Sequence, residues 1–301
     1  MKKLVVGIGE LLWNLLPTGR ELWGAPANFA YHVNSLGADG TVVSCVGADE
    51  DGKQIKKRMQ ELSLSCKYIA TSQVHHTGTA SVVYDSQGRP SYTIKERVAW
   101  DFIPKSSEIT SLARKADAVC FGTLAQRAIA SNATIRRFLE NTSLKAQRIL
   151  DINLYGHFYS RSLIEECLRY CNILKMNDEE FSVLRMLLDL HGTDIKVLKQ
   201  LTSQYGICLI AVTRGKNGSF LYSEGKTSNH TGYQSSIVDT IGAGDSFAAA
   251  LAMGTLRNQS LDAINDYANR IASYVCSQVG ATPQLPTRIV SPIEHWEVDY
   301  V

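Results

Sequence analysis

Val238-Asp239-Thr240-Ile241-Gly242-Ala243-Gly244-Asp245-Ser246-Phe247 leads directly into Ala248-Ala249-Ala250-Leu251-Ala252-Met253. The apolar, alanine-rich tail predicts a helix, which makes Gly242-Ala243-Gly244 the turn that opens it. Unpaired backbone N–H groups and the positive end of the helix dipole converge at such a turn, so it attracts an anion such as phosphate. Glycine lets the anion approach the backbone with no Cβ in the way. Asp245 then projects from the first helical turn, beside that anion. A carboxylate is repelled by phosphate, so it suits a base that takes a proton from an incoming hydroxyl. In phosphoryl transfer most catalysis is positioning and charge stabilisation, and this one loop supplies both. The plainer reading makes Asp245 an acid at a helix N-terminus and the glycines a tight turn.

Outward from this turn, short β-rich runs at 4–9, 41–46, 118–122, 148–153, 173–176 and 207–213 alternate with amphipathic helical patterns at 129–139, 181–190 and 195–201. Continuous apolar strands separated by helices predict an α/β fold with a mainly parallel sheet covered on both faces. Two segments break the rhythm. Residues 11–25 are turn-rich, with Pro17-Thr18-Gly19 between extended pieces. Residues 77–94 read as a hairpin, with 79–84 and 90–94 flanking an Asp85-Ser86-Gln87-Gly88 turn. These predict a small β-strand lid, formed by about 11–25 and 77–101, on a single domain spanning 1–301.

The composition fits that picture: a net charge of +2 gives no bulk attraction for nucleic acid or a membrane surface. Lys56-Lys57-Arg58 reads as the solvated face of a helix, and no segment has the apolar length of a membrane span. The seven cysteines are odd in number and include no Cys-x-x-Cys pair, so they read as reduced thiols rather than disulfide or metal ligands. Cys45, Cys120 and Cys208 fall in apolar strand-like runs, and Cys167 and Cys171 share a helix face. The cytoplasm is the expected compartment.

Other phosphate motifs fail. Gly225-Lys226-Thr227 would need glycine at 220 for a P-loop, where Phe220 stands, and Gly7-Ile8-Gly9 is followed by Leu12 rather than a third glycine. The nine-residue pattern Asp-Thr-x-Gly-Ala-Gly-Asp-x-Phe at 239–247 instead resembles the signature of the ribokinase-like (PfkB) carbohydrate kinases. The resemblance runs along the chain, through Trp23-Gly24-Ala25-Pro26-Ala27-Asn28-Phe29-Ala30, Leu36-Gly37 and Val46-Gly47-Ala48-Asp49-Glu50-Asp51-Gly52. It implies a ribokinase-like three-layer fold and an ATP-dependent sugar kinase in which Asp245 is the base and Gly242, Ala243 and Gly244 form the anion site.

The resemblance also implies the other site residues. Gly24 and Asn28 would line the sugar site; an asparagine at a helix start offers a donor and an acceptor to hydroxyls, or else serves as an N-cap. Lys175-Met176-Asn177-Asp178-Glu179-Glu180 resembles the family's Asn-x-x-Glu element, in which Asn177 and Glu180 would hold the water shell of Mg²⁺ near the phosphates; the bland alternative is a capping pattern. Lys175, Thr213, Gly215, Gly218 and Asn269 would flank the nucleotide, and Asp239 with nearby carbonyls would hold a monovalent cation such as K⁺.

Within the family, Gly9-Glu10-Leu11-Leu12-Trp13-Asn14, Val98-Ala99-Trp100-Asp101 and Gly122-Thr123-Leu124-Ala125-Gln126-Arg127 are most similar to fructokinases. That adds Asn14, Gln126 and Arg127 to the sugar contacts and fructose as the acceptor. Three positions depart from the fructokinase pattern. Asn14 stands for an aspartate, Trp23 for a glycine, and Tyr155, closing Asp151-Ile152-Asn153-Leu154-Tyr155, for an arginine. They keep open a kinase of another ketose, a sugar acid or a nucleoside, and a catalytically silent sugar- or nucleotide-binding regulator. Exposed lid strands would also allow a homodimer through the lid.

Overall fold

The computed structural model describes residues 2–16, 19–84 and 90–291. Pro17, Thr18 and the 85–88 turn therefore lie outside the described residues. Nine strands form the main sheet in the order β13-β12-β11-β10-β9-β8-β1-β4-β5. They are β1 (Leu4–Ile8), β4 (Asp39–Gly47), β5 (Ile69–Ser72), β8 (Ala118–Phe121), β9 (Gln147–Asp151), β10 (Ile173–Asn177), β11 (Leu209–Thr213), β12 (Ser219–Ser223) and β13 (Lys226–His230). All pairs are parallel except β11–β12 and β12–β13, which close one edge as antiparallel strands.

The sheet is covered on both faces, and successive strand residues divide between the two cores. Val6, Val119, Leu150, Leu174 and Ile210 pack with helices α3 (Ser107–Lys115), α4 (Ile129–Glu140), α5 (Arg161–Tyr170), α6 (Asp178–Leu187) and α7 (Asp194–Tyr205). Their neighbours Val5, Cys120, Ile149, Ile173 and Leu209 pack on the opposite face with α1 (Ala25–Ser35), α8 (Ala243–Leu256) and α9 (Leu261–Cys276). This period-two alternation on a sheet apolar on both sides produces the three layers. Helix α2 (Glu50–Glu61) buries Ile55 and Met59 against Val42 and Val46, while Lys57 and Arg58 face solvent.

A second sheet, ordered β3-β2-β6-β7, is built from β2 (Leu12–Leu16), β3 (Gly19–Trp23), β6 (Gly78–Tyr84) and β7 (Pro90–Ile94). The two excursions read from the sequence thus join into one lid sheet. Its central pair, β2 and β6, runs parallel, a long-range pairing that no hairpin signal announces. The lid is seated by Trp100, fully buried in the 3₁₀ turn Ala99–Phe102, whose ring lies so close to Gly78 that a Cβ there would fall 2.3 Å from Nε1. The reading of 181–190 as helix overran: α6 stops at Leu187, and Asp189 takes a left-handed φ of 57°. Cys208 is exposed rather than core, because it sits in the connection before β11. Among the described residues no helix is long and apolar enough to cross a membrane.

Candidate active site

Residues from the carboxyl ends of β1, β9, β10 and β11 meet the N-termini of α1 and α8, the crevice where open α/β sheets place ligands. Helix α8 opens at Gly242, whose φ of 78° and ψ of −4° lie in the left-handed region. A Cβ there would also strike Ala281 O at 2.6 Å, so glycine is required on both counts. The Gly280-Ala281 loop is clamped against this turn. Asp239 Oδ1 accepts from Ile241 N at 2.9 Å and Oδ2 from Gly280 N at 3.0 Å. His32 Nε2 bonds Ala281 O at 2.9 Å, and because a carbonyl only accepts, Nε2 carries the proton. Burial pushes the His32 pKa down to about 4, so the imidazole is neutral; its Nδ1 has no partner among the described residues.

Beneath the turn lies a buried cation. A Cβ on Gly244 would fall 2.8 Å from Lys175 Nζ, so the missing side chain lets the ammonium reach the anion-binding backbone. Lys175 in turn bonds Asp151 Oδ1 and Oδ2 at 2.9 and 3.1 Å. Burial works against its charge, but the Asp151 and Glu180 carboxylates outweigh that and hold its pKa above the usual range. Asp245 projects from the first turn of α8, and Asn28 Nδ2 donates to its Oδ2 at 2.8 Å. Burial raises the Asp245 pKa to about 6, with Asn28 and Lys175 opposing the rise and Glu10 adding to it. Asn28 is free for this contact because it lies inside α1, whose N-cap is Gly24. The N-cap alternative for Asn28 does not hold.

Adjacent residues of the turn face different chambers. Ala243 and Gly244 line a cleft of about 650 Å³ whose walls include Thr213, Gly215, Gly218 and Asn269. Asp245 lines two small cavities, one of about 30 Å³ toward the lid and one of about 10 Å³ against the strand ends that carry Cys120 and Asp151. Gly24, Leu12, Trp23 and Tyr155 wall the larger, with the Trp23 and Tyr155 rings edge-to-face at 5.6 Å. Glu10, Asn153 and Ala25 border both.

Several expected contacts point elsewhere. Gln126 Nε2 donates to Gly122 O at 2.8 Å and to Cys167 Sγ at 3.1 Å, and borders neither small cavity. Arg127 is locked to Asp101 by Nε and Nη2, at 2.8 and 3.0 Å, between the rings of Trp100 and Phe158. Asn14 is 3 % exposed on the same face of β2 as Leu12, one pleat farther from the cavity, and its Oδ1 has no partner among the described residues. Asn177 and Glu180 form a reciprocal capping box: Asn177 Oδ1 accepts from Glu180 N at 2.7 Å, and Glu180 Oε2 from Asn177 N at 2.8 Å. Glu180 Oε1 also accepts from Leu154 N at 3.2 Å. Among the described residues no group of three or more His, Cys, Asp or Glu side chains is arranged to hold a metal ion. The residues that motif reading passed over are Glu10, Asp151 and Asn153. Their signal was a polar side chain at the carboxyl end of a buried strand; Asn153 adds a left-handed φ of 40°.

The chain is similar in sequence and fold to known kinases. It is 28 % identical over 257 residues to a fructokinase of Salmonella typhimurium, covering 81 % of each chain. The structure of 2-dehydro-3-deoxygluconokinase from Thermotoga maritima superposes with a TM-score of 0.83 at 17 % identity, covering 96 % of this chain and 97 % of that one. That of a fructokinase with bound ATP from Xylella fastidiosa gives 0.81 at 18 %, covering 95 % and 96 %. Residues 21–288, which include β6, β7, the anion turn and Asp245, match the family model described as pfkB family carbohydrate kinase. The chain belongs to the pfkB family of carbohydrate kinases.

Proposed function

We propose that this carbohydrate kinase transfers the γ-phosphoryl group of ATP to a primary hydroxyl of fructose, giving fructose 6-phosphate. The observation that carries the reading is the division of the anion turn: Gly244 faces the large cleft while Asp245, its neighbour, faces the small cavity under the lid. The nucleotide occupies the cleft with its phosphates at the N-terminus of α8, and the sugar lies beneath the lid. Asp245 takes the hydroxyl proton as the sugar oxygen bonds to the γ-phosphorus, and the bond to the β–γ bridging oxygen breaks, leaving ADP. Asn28 fixes the carboxylate's orientation, and Lys175 beneath Gly244 stabilises the charge on the transferring group. The lid excludes water, which would otherwise accept the phosphate.

Mg²⁺ carried by the nucleotide would neutralise phosphate charge. Asn177 and Glu180 fit contact through its waters, since their oxygens already accept backbone N–H groups and Mg²⁺ usually retains several waters. Asp239 ties the anion turn to the Gly280 loop with both oxygens, with or without a monovalent cation beside it.

The fructokinase relatives and the resemblance of 9–14 and 122–127 support fructose. Measuring ADP release over a panel of ketoses, sugar acids and nucleosides tests it, and turnover confined to a different acceptor would replace fructose while leaving the kinase. Asp245→Asn tests the mechanism: turnover falls roughly 10²–10⁴-fold, as for a lost general base, while ATP still binds. Near-normal turnover would remove Asp245 from that role, and ATP and sugar binding by wild type without ADP release would favour the silent regulator.

A further inference from the structure

The acceptor side of the site has an unusual balance of charge, and one residue sets it. Glu10 is 6 % exposed and borders both small cavities together with Asp245. Burial pushes its pKa up to about 6, and the nearby backbone N–H groups of Glu10 itself and of Ala25, the first residue of α1, oppose that rise. A third carboxylate, Asp151, borders the smaller cavity. Two cations nearby are paired with other carboxylates: Lys175 is bonded to both oxygens of Asp151 and Arg127 to both oxygens of Asp101, although Arg127 Nη1 has no partner among the described residues. Farther along the lid, Asn14 Oδ1 is a buried acceptor without a donor among the described residues. The acceptor chamber thus presents the carboxylates of Glu10 and Asp245, neither of them in an ion pair among the described residues. A sugar hydroxyl supplies a donor, whereas a substrate carboxylate or phosphate would add like charge where little water remains to screen it.

We propose that Glu10 makes the acceptor site selective for an uncharged polyol: its carboxylate takes a hydrogen bond from a substrate hydroxyl and turns away sugars that carry a carboxylate or phosphate. The assignment rests on the kinase reading above and names the residue that sets its substrate class. Glu10 does not take the reacting proton; Asp245 does, from the first turn of α8.

The test uses the full chain as wild type, Glu10→Gln and Glu10→Asp, with ADP release measured at pH 8 on fructose, 2-keto-3-deoxygluconate and fructose 6-phosphate. Wild type is expected to favour fructose over both anionic sugars by roughly 10²-fold or more in kcat/KM, the scale of a like-charge clash. Glu10→Gln keeps the shape of the side chain and an acceptor oxygen but removes the charge. It loses roughly 10–100-fold on fructose, as for a lost charged hydrogen bond, and narrows the fructose-to-anion ratio at least about tenfold. Glu10→Asp keeps the charge one methylene back, so KM for fructose rises while the anions stay excluded. Titration with ATP shows which variants are folded, and if Glu10→Gln fails to bind it, Glu10→Asp decides. A wild-type preference for either anionic sugar, an unchanged ratio in Glu10→Gln, or acceptance of anions by Glu10→Asp would overturn the assignment while leaving the kinase standing. No ADP from wild-type protein with any of the three, although it binds ATP, would overturn the kinase reading and this one with it.

Discussion

Asp245 and Glu10 titrate near the same pH, about 6 for each, because both are desolvated; the Glu10 charge adds to the rise at Asp245, and the Asp151 charge to that at Glu10. A base must be ionised to work, so kcat/KM should fall about tenfold per pH unit below 6, and a flat profile down to pH 5 would contradict this. Removing the neighbouring charge in Glu10→Gln should move that limb to lower pH in a pH–rate profile. The sign for stability is opposite. A carboxyl whose pKa is raised on folding holds its proton more tightly in the folded state, so its ionisation costs stability as pH rises through about 6. Asp245→Asn should therefore raise Tm at pH 8 while abolishing most turnover, as seen by thermal unfolding. Asp151→Asn should do the reverse: it strands the Lys175 ammonium in the interior and destabilises by about 3–5 kcal/mol, visible as a lowered urea midpoint.

Among the elements, α8 depends on a loop from elsewhere in the chain for its N-terminal geometry. His32→Ala removes the donor to Ala281 O and should lower kcat about tenfold, the scale of one lost buried hydrogen bond, with KM for sugar little changed. His32→Gln retains an N–H donor and should recover most of it, which a purely packing role for His32 would not predict. The lid makes a parallel case. Gly78→Ala places a Cβ against the Trp100 indole and should cost about 1–3 kcal/mol, with a raised KM for sugar, because β6 must lift from its seat. The runs at 4–9, 118–122 and 173–176 were legible as strands because they are apolar on both faces. Strands β5, β12 and β13 were not. At β13, Lys226–His230 is polar at the edge of the sheet, where one side of the ladder and part of one face meet water and no continuous apolar run is needed.

Across the whole molecule, the nucleotide and sugar sides differ sharply in room. A cleft of about 650 Å³ stands open beside Gly244, whereas cavities of about 30 and 10 Å³ beside Asp245 hold about one water each. A hexose has a dozen heavy atoms, so binding it requires the lid sheet to move away from the crevice. Hydrogen exchange in β2, β3 and β6 should therefore be measurable in the free protein and slow when fructose and a non-hydrolysable ATP analogue are both bound. Exchange unchanged by the pair of ligands would show that sugar enters without lid movement. If the lid also joins two subunits through its edges, sedimentation will give a dimer.

Sequence by itself determined the parallel sheet, the lid segments and the anion turn, because these follow from backbone rules and periodic burial within short stretches; the family came from the resemblance of the 239–247 pattern and the segments that accompany it. Gly242 announces a left-handed turn wherever it stands before that helix, and the apolar runs need two covered faces in any packing. Only the tertiary structure decided which polar side chains share a chamber. Gln126 and Arg127 lie in a stretch that resembles a sugar-site element, yet they turn to Cys167 and Asp101, while Glu10, in the first strand's exit, meets Asp245 across more than two hundred residues of chain. A carboxylate's pKa and its substrate contacts depend on desolvation and on charges brought near by packing, and those are properties of assembled layers.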